Sequence, residues 1–230
     1  FKDETVYVLA NADGTVQKII VSDWIKNTSL KDQIEDVTEL VNTENIKGDY
    51  EYTLGGDNTR VWDAQGNDIY YHGTIEKVLP VDLTVTYKLD GKAISPVELA
   101  GKSGRVTIRY EYRNNQYEIA NIDGKEEKIY VPFAMLTGML LNNNTFTNVE
   151  VTNGKIVNDG DRTAVIGLAL PGLQENLGID REKLEIPSYV EITADVTDFS
   201  LGTTITMATN APFSGIDTGK LDSITDLTDS

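Results

Sequence analysis

The chain has 230 residues, of which 40% are apolar, and carries 20 Lys and Arg against 37 Asp and Glu, for a formal net charge of −17. This length can bury a sizeable core in one or two β domains, whereas so negative a chain repels nucleic acid and anionic lipid surfaces. The chain has no cysteine, which excludes disulfides and thiol catalysis. It has one histidine, His72, so one copy cannot form a two-histidine metal site. No apolar run approaches the roughly 20 residues that span a bilayer.

The first organised segment is a hairpin from about residue 4 to residue 21. Its strands flank Asp13-Gly14, and such dipeptides between apolar runs predict hairpins because Gly, Asn and Asp tolerate positive φ angles. Apolar residues on both faces predict that this hairpin is buried on both sides or central in a sheet. The same turn signal recurs at four positions: Asp90-Gly91, Asp123-Gly124, Asn153-Gly154 and Asp159-Gly160.

The next segment carries a helical pattern. Thr28 or Ser29 can cap a helix, because a side-chain oxygen at that position accepts a hydrogen bond from the first turn. Apolar residues then recur at helical spacing and form one stripe; they are Leu30, Ile34, Val37 and Val41. We therefore predict a helix in the N-terminal part of the chain.

The segment from 50 to 73 is polar, short-stranded and aromatic. Its rings give the candidate ligand-binding residues of the chain: Tyr50, Tyr52, Trp62, Tyr70 and Tyr71. Flat rings stack on the apolar faces of sugars, and Tyr50 and Tyr52 share one strand face, as a platform requires. The same residue types also form cross-strand pairs and core edges, so a structural role is the competing interpretation.

The second half alternates strands with two short helical segments. Ser95-Pro96 starts a single helical turn, since Pro suits the first helical position, and a short helix is predicted over 173–177. The strand over 163–170 is apolar at nearly every position and is predicted to be buried on both faces. Beyond Pro212 the chain is polar, and apolar residues spaced by three indicate a tail or the start of a helix; they are Leu221, Ile224 and Leu227.

These elements predict a mainly β protein of antiparallel sheets, β-sandwich-like, with one or two short helices and room for two β subdomains. Gly73 and Pro80 punctuate the chain where the two blocks of strands meet. The predicted domains are therefore an N-terminal hairpin and helix subdomain (1–75), an antiparallel β domain (76–210) and a polar tail or helical stalk (211–230).

No motif in the chain specifies a reaction, a metal or a cofactor. Two acidic turns offer oxygen ligands for Ca²⁺ but lack the ordered spacing of an EF-hand loop; they contain Asp63, Gln65, Asn67 and Asp68, and Asn158, Asp159 and Asp161. The Gly101-Lys102-Ser103 sequence lacks the first glycine of a phosphate loop and enters a strand instead of a helix. A carboxylate pair for glycoside hydrolysis need only meet in space, so a hydrolase stays open as the least favoured alternative.

Three stretches carry a resemblance to a known family: KDETVYVLANADGTVQKIIVSDWIKN, VDLTVTYKLDGKAISPVELAGKSGRVTIRYEY and SYVEITADVTDFSL. Together they resemble the extracellular portion of phage-infection-protein-like surface proteins of Gram-positive bacteria, from Lys2 to about Leu201. The resemblance implies a β-rich region outside the cell, followed in the parent protein by helical repeats and membrane-spanning helices. It implies no catalytic residues.

We therefore expect a non-catalytic extracellular β module of a membrane-anchored surface protein, which mediates interaction or assembly and uses no cofactor. Its expected partner is another protein or a cell-surface glycan. A carbohydrate-binding module that uses the rings between Tyr50 and Tyr71 is the alternative. Exposed coplanar rings would favour that alternative, whereas rings buried between sheets would remove it.

Overall fold

A computed structural model describes residues 1–122 and 124–210, and over these residues the protein is mainly β, with antiparallel sheets and two short helices. The predicted fold class is confirmed. The chain divides into two compact units, Phe1–Val78 (unit 1) and Leu79–Ser230 (unit 2). The predicted tail over 211–230 lies outside the described residues.

Unit 1 contains seven strands in two antiparallel sheets. The strands are β1 (Lys2–Ala10), β2 (Val16–Ile25), β3 (Gln33–Val37), β4 (Val41–Asn45), β5 (Tyr52–Leu54), β6 (Thr59–Asp63) and β7 (Ile69–Ile75). Sheet A has the strand order β1-β2-β7-β4, and sheet B has the order β3-β6-β5. The inward side chains of β2, β6 and β7 form the core of this unit, with Trp62, Ile69 and Tyr71 fully buried.

The predicted helix after the first hairpin is wrong, because this segment forms β3 and β4. Val37 and Val41 of the predicted stripe are exposed, and Leu30 is exposed in a left-handed conformation with φ 49°. The large apolar side chain that is buried here is Leu40, which lies off the stripe. Helical spacing is therefore coincidental in this segment, where β-branched residues on short strands pair with β6 and β7 instead.

The first hairpin forms as predicted; the prediction of double burial or a central position is wrong for β1, whereas β2 is central in sheet A. Among the described strands, β1 pairs with β2 alone and lies at the edge of sheet A, and every one of its residues is exposed. Strand β2 is central and buries alternate residues. A strand can carry apolar residues on both faces even where no other part of the protein packs against it. The apolar content of β1 therefore did not predict its burial.

Unit 2 contains the remaining strands and both helices of the described chain. They are β8 (Val81–Leu89), β9 (Lys92–Ile94), α1 (Pro96–Leu99), β10 (Gly104–Asn114), β11 (Tyr117–Ile122), β12 (Lys125–Tyr130), β13 (Ala134–Asn142), β14 (Phe146–Thr152), β15 (Gly154–Asn158), β16 (Arg162–Ala169), α2 (Leu173–Leu177), β17 (Tyr189–Val196) and β18 (Thr204–Thr209). Both predicted short helices are confirmed, and α1 begins with a capping box between Ser95 and Glu98.

The described residues of unit 2 form three sheets. Sheet C has the order β14-β17-β10-β8-β9, sheet D is the β11–β12 hairpin, and sheet E has the order β15-β16-β13-β18. Inward side chains of sheets C and E share one hydrophobic core, to which sheet C contributes Ile108 and Ile192 and sheet E contributes Met139 and Val165. Alternation along these strands therefore places one face of each sheet in the core.

Three of the predicted turns join paired strands, as predicted. Asp13-Gly14 lies between β1 and β2, Asp90-Gly91 between β8 and β9, and Asp159-Gly160 between β15 and β16. The strands β11 and β12 pair on either side of Asp123-Gly124, of which Asp123 lies outside the described residues. The hairpin prediction at Asn153-Gly154 is wrong, because the chain passes there from sheet C into sheet E.

The predicted double burial of residues 163–170 is also wrong. Strand β16 alternates between buried and exposed positions, so that Val165 faces the core while Ile166 and Leu168 face outward and are exposed. The apolar residues of its second face therefore belong to the protein surface.

Candidate functional site

The five candidate rings do not form one exposed platform. Trp62 and Tyr71 are completely buried, and their rings stack on each other with centroids 5.1 Å apart. Tyr52 is half-buried and packs against Trp62 at 4.8 Å. These three rings belong to the core of unit 1, so the predicted sugar-stacking role does not hold for Trp62 or Tyr71.

Tyr70 lies on the other face of sheet A from Tyr71, because successive residues of a strand point to opposite faces. There it is half-buried and stacks on Trp24 of β2, with centroids 5.3 Å apart and the ring planes 12° from parallel. Tyr50 is half-buried in the loop before β5. Tyr70 is therefore separate from the buried candidate rings, and it pairs with Trp24, which the sequence analysis did not single out.

Two lysines and one aspartate surround this outer pair of rings. The Lys26 Nζ lies 4.0 Å from the centroid of the Trp24 ring, and the Lys47 Nζ lies 4.4 Å from that of Tyr70. The Trp24 indole donates a hydrogen bond to Asp68 at 3.0 Å. A hydrogen bond from the Asn27 backbone, and then that of the indole, lowers the pKa of Asp68. The pair arises from the register of β2 against β7, which no local sequence pattern specifies.

A cluster of ionisable groups lies on the inner side of unit 1. The Lys2 Nζ is 3.0 Å from Asp23 Oδ2 and 3.1 Å from both Asp36 carboxylate oxygens. It also donates to the Tyr71 hydroxyl at 2.9 Å, and that hydroxyl donates to Asp36 Oδ2. The four residues come from β1, β2, β3 and β7. Their separation in sequence left no motif by which they could have been found.

Asp23 is the unusual member of this cluster. It is 1% exposed, and within the described part of the chain neither of its carboxylate oxygens accepts a well-directed hydrogen bond, although Lys2 lies within ion-pair distance. Burial, and then the neighbouring carboxylates of Asp23 and Asp36, raise the pKa of Tyr71 far above its ordinary value. The Tyr71 hydroxyl is therefore protonated and serves as a hydrogen-bond donor.

The outward side of sheet E is an exposed apolar surface, which we call the sheet E face. Its six large side chains are between 41% and 68% exposed; they are Leu140, Val157, Ile166, Leu168, Ile205 and Met207. Leu136 lies between Leu168 and Met207 in the strand register, and Gly138 lies between Ile166 and Ile205. The surface therefore runs without a break across the three strands β16, β13 and β18.

The charges of the sheet E face differ from those of the whole chain. Although the net charge of the protein is −17, none of the paired outward positions of the four strands of sheet E is acidic, and the charged ones are Lys155 on β15 and Arg162 on β16. The sequence pattern that indicated this surface was the presence of apolar residues on both faces of β16. The sequence alone did not distinguish an exposed contact face from a doubly buried strand.

The acidic turns considered for Ca²⁺ are used in local hydrogen bonding. Asp68 accepts from Trp24 and Asn27, and Asp159 Oδ1 accepts from the backbone of Asp161 and Arg162 in the β15–β16 turn. Among the described residues, no group of three His, Asp or Glu side chains is placed to hold a metal ion.

A cavity of about 270 Å³ opens beside β14 and β15 of unit 2, and none of its lining side chains is ionisable; they are Asn143, Phe146, Thr147, Asn148, Val149, Ile156, Asn158 and Thr163. This cavity offers neither the acid nor the base that glycoside hydrolysis requires.

No family model and no curated protein matches this chain. Within residues 1–122 and 124–210, no helix has the length and apolar character needed to cross a membrane.

Proposed function

We propose that the chain is a non-catalytic extracellular β module of a membrane-anchored bacterial surface protein, in which it mediates protein interaction or assembly. The sheet E face is the observation that carries the contact role. The surface location and the anchor rest on the resemblance of residues 2–201 to phage-infection-protein-like surface proteins.

The energetic argument is that so large an apolar surface is costly to leave in water. Full burial of one large aliphatic side chain is worth about 1.5–3 kcal/mol, and six such side chains lie side by side on this face. Contiguous exposed apolar surfaces of this kind mark sites of protein contact. The matching partner has an apolar centre and an acidic rim, which Lys155 and Arg162 attract.

The test compares purified labelled protein with two surface variants. The variant Ile166→Lys/Ile205→Lys places charges in the middle of the sheet E face, and Val97→Lys adds a charge at a valine of α1, outside sheet E, that is 85% exposed. Self-association is measured by sedimentation velocity, and saturable binding to intact Gram-positive cells by fluorescence. We expect association or binding that the double variant loses and Val97→Lys retains. Wild-type protein that neither associates nor binds would overturn the proposal.

Carbohydrate binding remains the second candidate because Trp24 and Tyr70 form a nearly parallel, half-exposed pair. The variant Trp24→Ala/Tyr70→Ala therefore joins the same comparison, together with a panel of glycans and cell-wall fragments. Glycan binding that this variant loses and the sheet E variant retains would replace the interaction proposal with a carbohydrate-binding function.

A further inference from the structure

The cluster of ionisable groups in unit 1, which we call the Lys2 cluster, consists of Lys2, Asp23, Asp36 and Tyr71. It carries more charge than its surroundings can satisfy. Two carboxylates, Asp23 and Asp36, share one ammonium group, which leaves one negative charge in excess. Asp23 is 1% exposed and its oxygens lack directed donors among the described residues. Burying an ion without sufficient hydrogen bonds is energetically unfavourable. An ordinary ion pair therefore leaves this site incompletely satisfied.

The geometry places the components of an amide bond within reach of each other. The Lys2 Nζ is equidistant, at 3.1 Å, from both oxygens of Asp36. The Tyr71 hydroxyl donates to Asp36 Oδ2, where negative charge develops when an amine attacks a carboxyl carbon. Asp23, at 3.0 Å from Nζ, is the one remaining group beside it that can accept a proton.

We propose that the Lys2 side chain and the Asp36 carboxyl group join in an intramolecular isopeptide bond, with Asp23 as the proton carrier. The bond would connect β1 of sheet A to β3 of sheet B. This inference is independent of the proposed contact role, because all four residues lie in unit 1 and the sheet E face lies in unit 2.

The step balances without a further reactant. Burial lowers the pKa of Lys2, but the neighbouring carboxylates of Asp23 and Asp36 raise it by more, so the unreacted side chain is an ammonium group. Asp23 removes a proton from Nζ, and the resulting amine attacks the Asp36 carboxyl carbon. One hydrogen stays on the amide nitrogen. Two leave with one Asp36 oxygen as water, and Asp23 ends as it began.

The product gives Asp23 a directed hydrogen-bond donor, which the ion pair lacks, while the site keeps its one net negative charge on Asp23. Bond formation removes the charges of Lys2 and Asp36 together. The new amide N–H can donate to Asp23, and the new carbonyl oxygen can accept from the Tyr71 hydroxyl, which is already directed at Asp36. The bond also fastens β1, an edge strand of sheet A in which every residue is exposed. A covalent link at such a strand opposes local unfolding.

Intact-mass spectrometry of the purified wild-type chain tests the proposal. We expect a mass below that of the sequence by one water molecule. Trypsin cannot cleave after an acylated lysine, so digestion should give a branched peptide that joins residues 1–18 to residues 32–47. A folded wild-type chain with the full sequence mass would overturn the proposal.

Variants separate this bond from water loss elsewhere, for example at the Asp-Gly turns. Lys2→Arg retains the positive charge without the nucleophile, Asp36→Ala removes the acceptor, and Asp23→Asn retains the shape without the proton carrier. Each should have its full sequence mass, whereas Lys18→Arg, at an exposed position of β2, should still lose one water. Circular dichroism checks that each variant folds. Water loss that persists in Lys2→Arg would also refute the assignment.

Discussion

The core between sheets C and E leaves no room for a side chain at Gly167. This residue lies on the buried face of β16, and an added Cβ would lie 2.3 Å from Val190 Cγ1 and 2.9 Å from Val190 Cβ. Rotation about χ1 of Val190 moves its methyl groups but not its Cβ. The substitution Gly167→Ala therefore requires the backbone of β16 or β17 to move.

The expected cost follows from overpacking a close-packed core. Inserting one methyl group where the backbone must shift costs about 1–3 kcal/mol. The matched control is Gly138→Ala on β13, where an added Cβ meets nothing within 4 Å. Both glycines are in strand interiors and lack a positive φ angle. Gly138→Ala should stabilise the protein by about 0.4–1 kcal/mol, because alanine restricts the unfolded chain.

Urea unfolding followed by far-ultraviolet circular dichroism measures both effects. Trp24 and Trp62 both lie in unit 1, so tryptophan fluorescence does not report directly on the altered core. We expect the two variants to shift the dichroism midpoint in opposite directions. The substitution Val190→Ala in the Gly167→Ala background should recover part of the loss, since it removes the two methyl groups nearest the added Cβ. Equal midpoints for the two alanine variants would refute the packing argument.

Two further predictions concern single side chains. Trp62→Ala should lower the free energy of unfolding of unit 1 by about 3–5 kcal/mol, because it empties a fully buried ring site; Trp24 fluorescence during urea unfolding measures this, and a loss below about 1 kcal/mol would contradict the burial. A hydrogen bond from Asn148, and then one from Arg105, lowers the pKa of Asp195 below its ordinary 3.8. The Asp195 carboxylate therefore stabilises the folded protein above pH 3.8, and this stabilisation is lost as the pH falls through the folded-state pKa. Asp195→Asn should therefore reduce stability at about pH 6 and less so in acid, and an effect that is constant with pH would exclude this linkage.

Local sequence determined the elements whose chemistry is contained within a few residues. Asp13-Gly14, Asp90-Gly91 and Asp159-Gly160 formed hairpins because positive φ angles are satisfied by the turn itself. The α1 helix followed from Ser95, Pro96 and a capping glutamate in the same turn. The mainly β fold class was predictable for the same reason, since alternation is a local property.

The sequence did not determine which surfaces meet, and the errors arose there. Leu30, Ile34, Val37 and Val41 are compatible with a helix stripe, but pairing of β3 with β6 and of β4 with β7 overrode it. Asn153 is left-handed, with φ 62°, but Gly154 lacks a positive φ angle and begins β15 instead of completing a two-residue turn. Both outcomes depend on partner strands that are distant in the chain.

The candidate sites were likewise decided by tertiary structure. Lys2, Asp23 and Asp36 meet through the register of β1 on β2 and the packing of unit 1, and Trp24 meets Tyr70 through the register of β2 on β7. Apolar character on both faces of β16 was readable from the sequence, but its exposure was not. The sequence sets which side chains a strand presents on each face, whereas burial requires a second layer, and only the folded chain shows where that layer is missing.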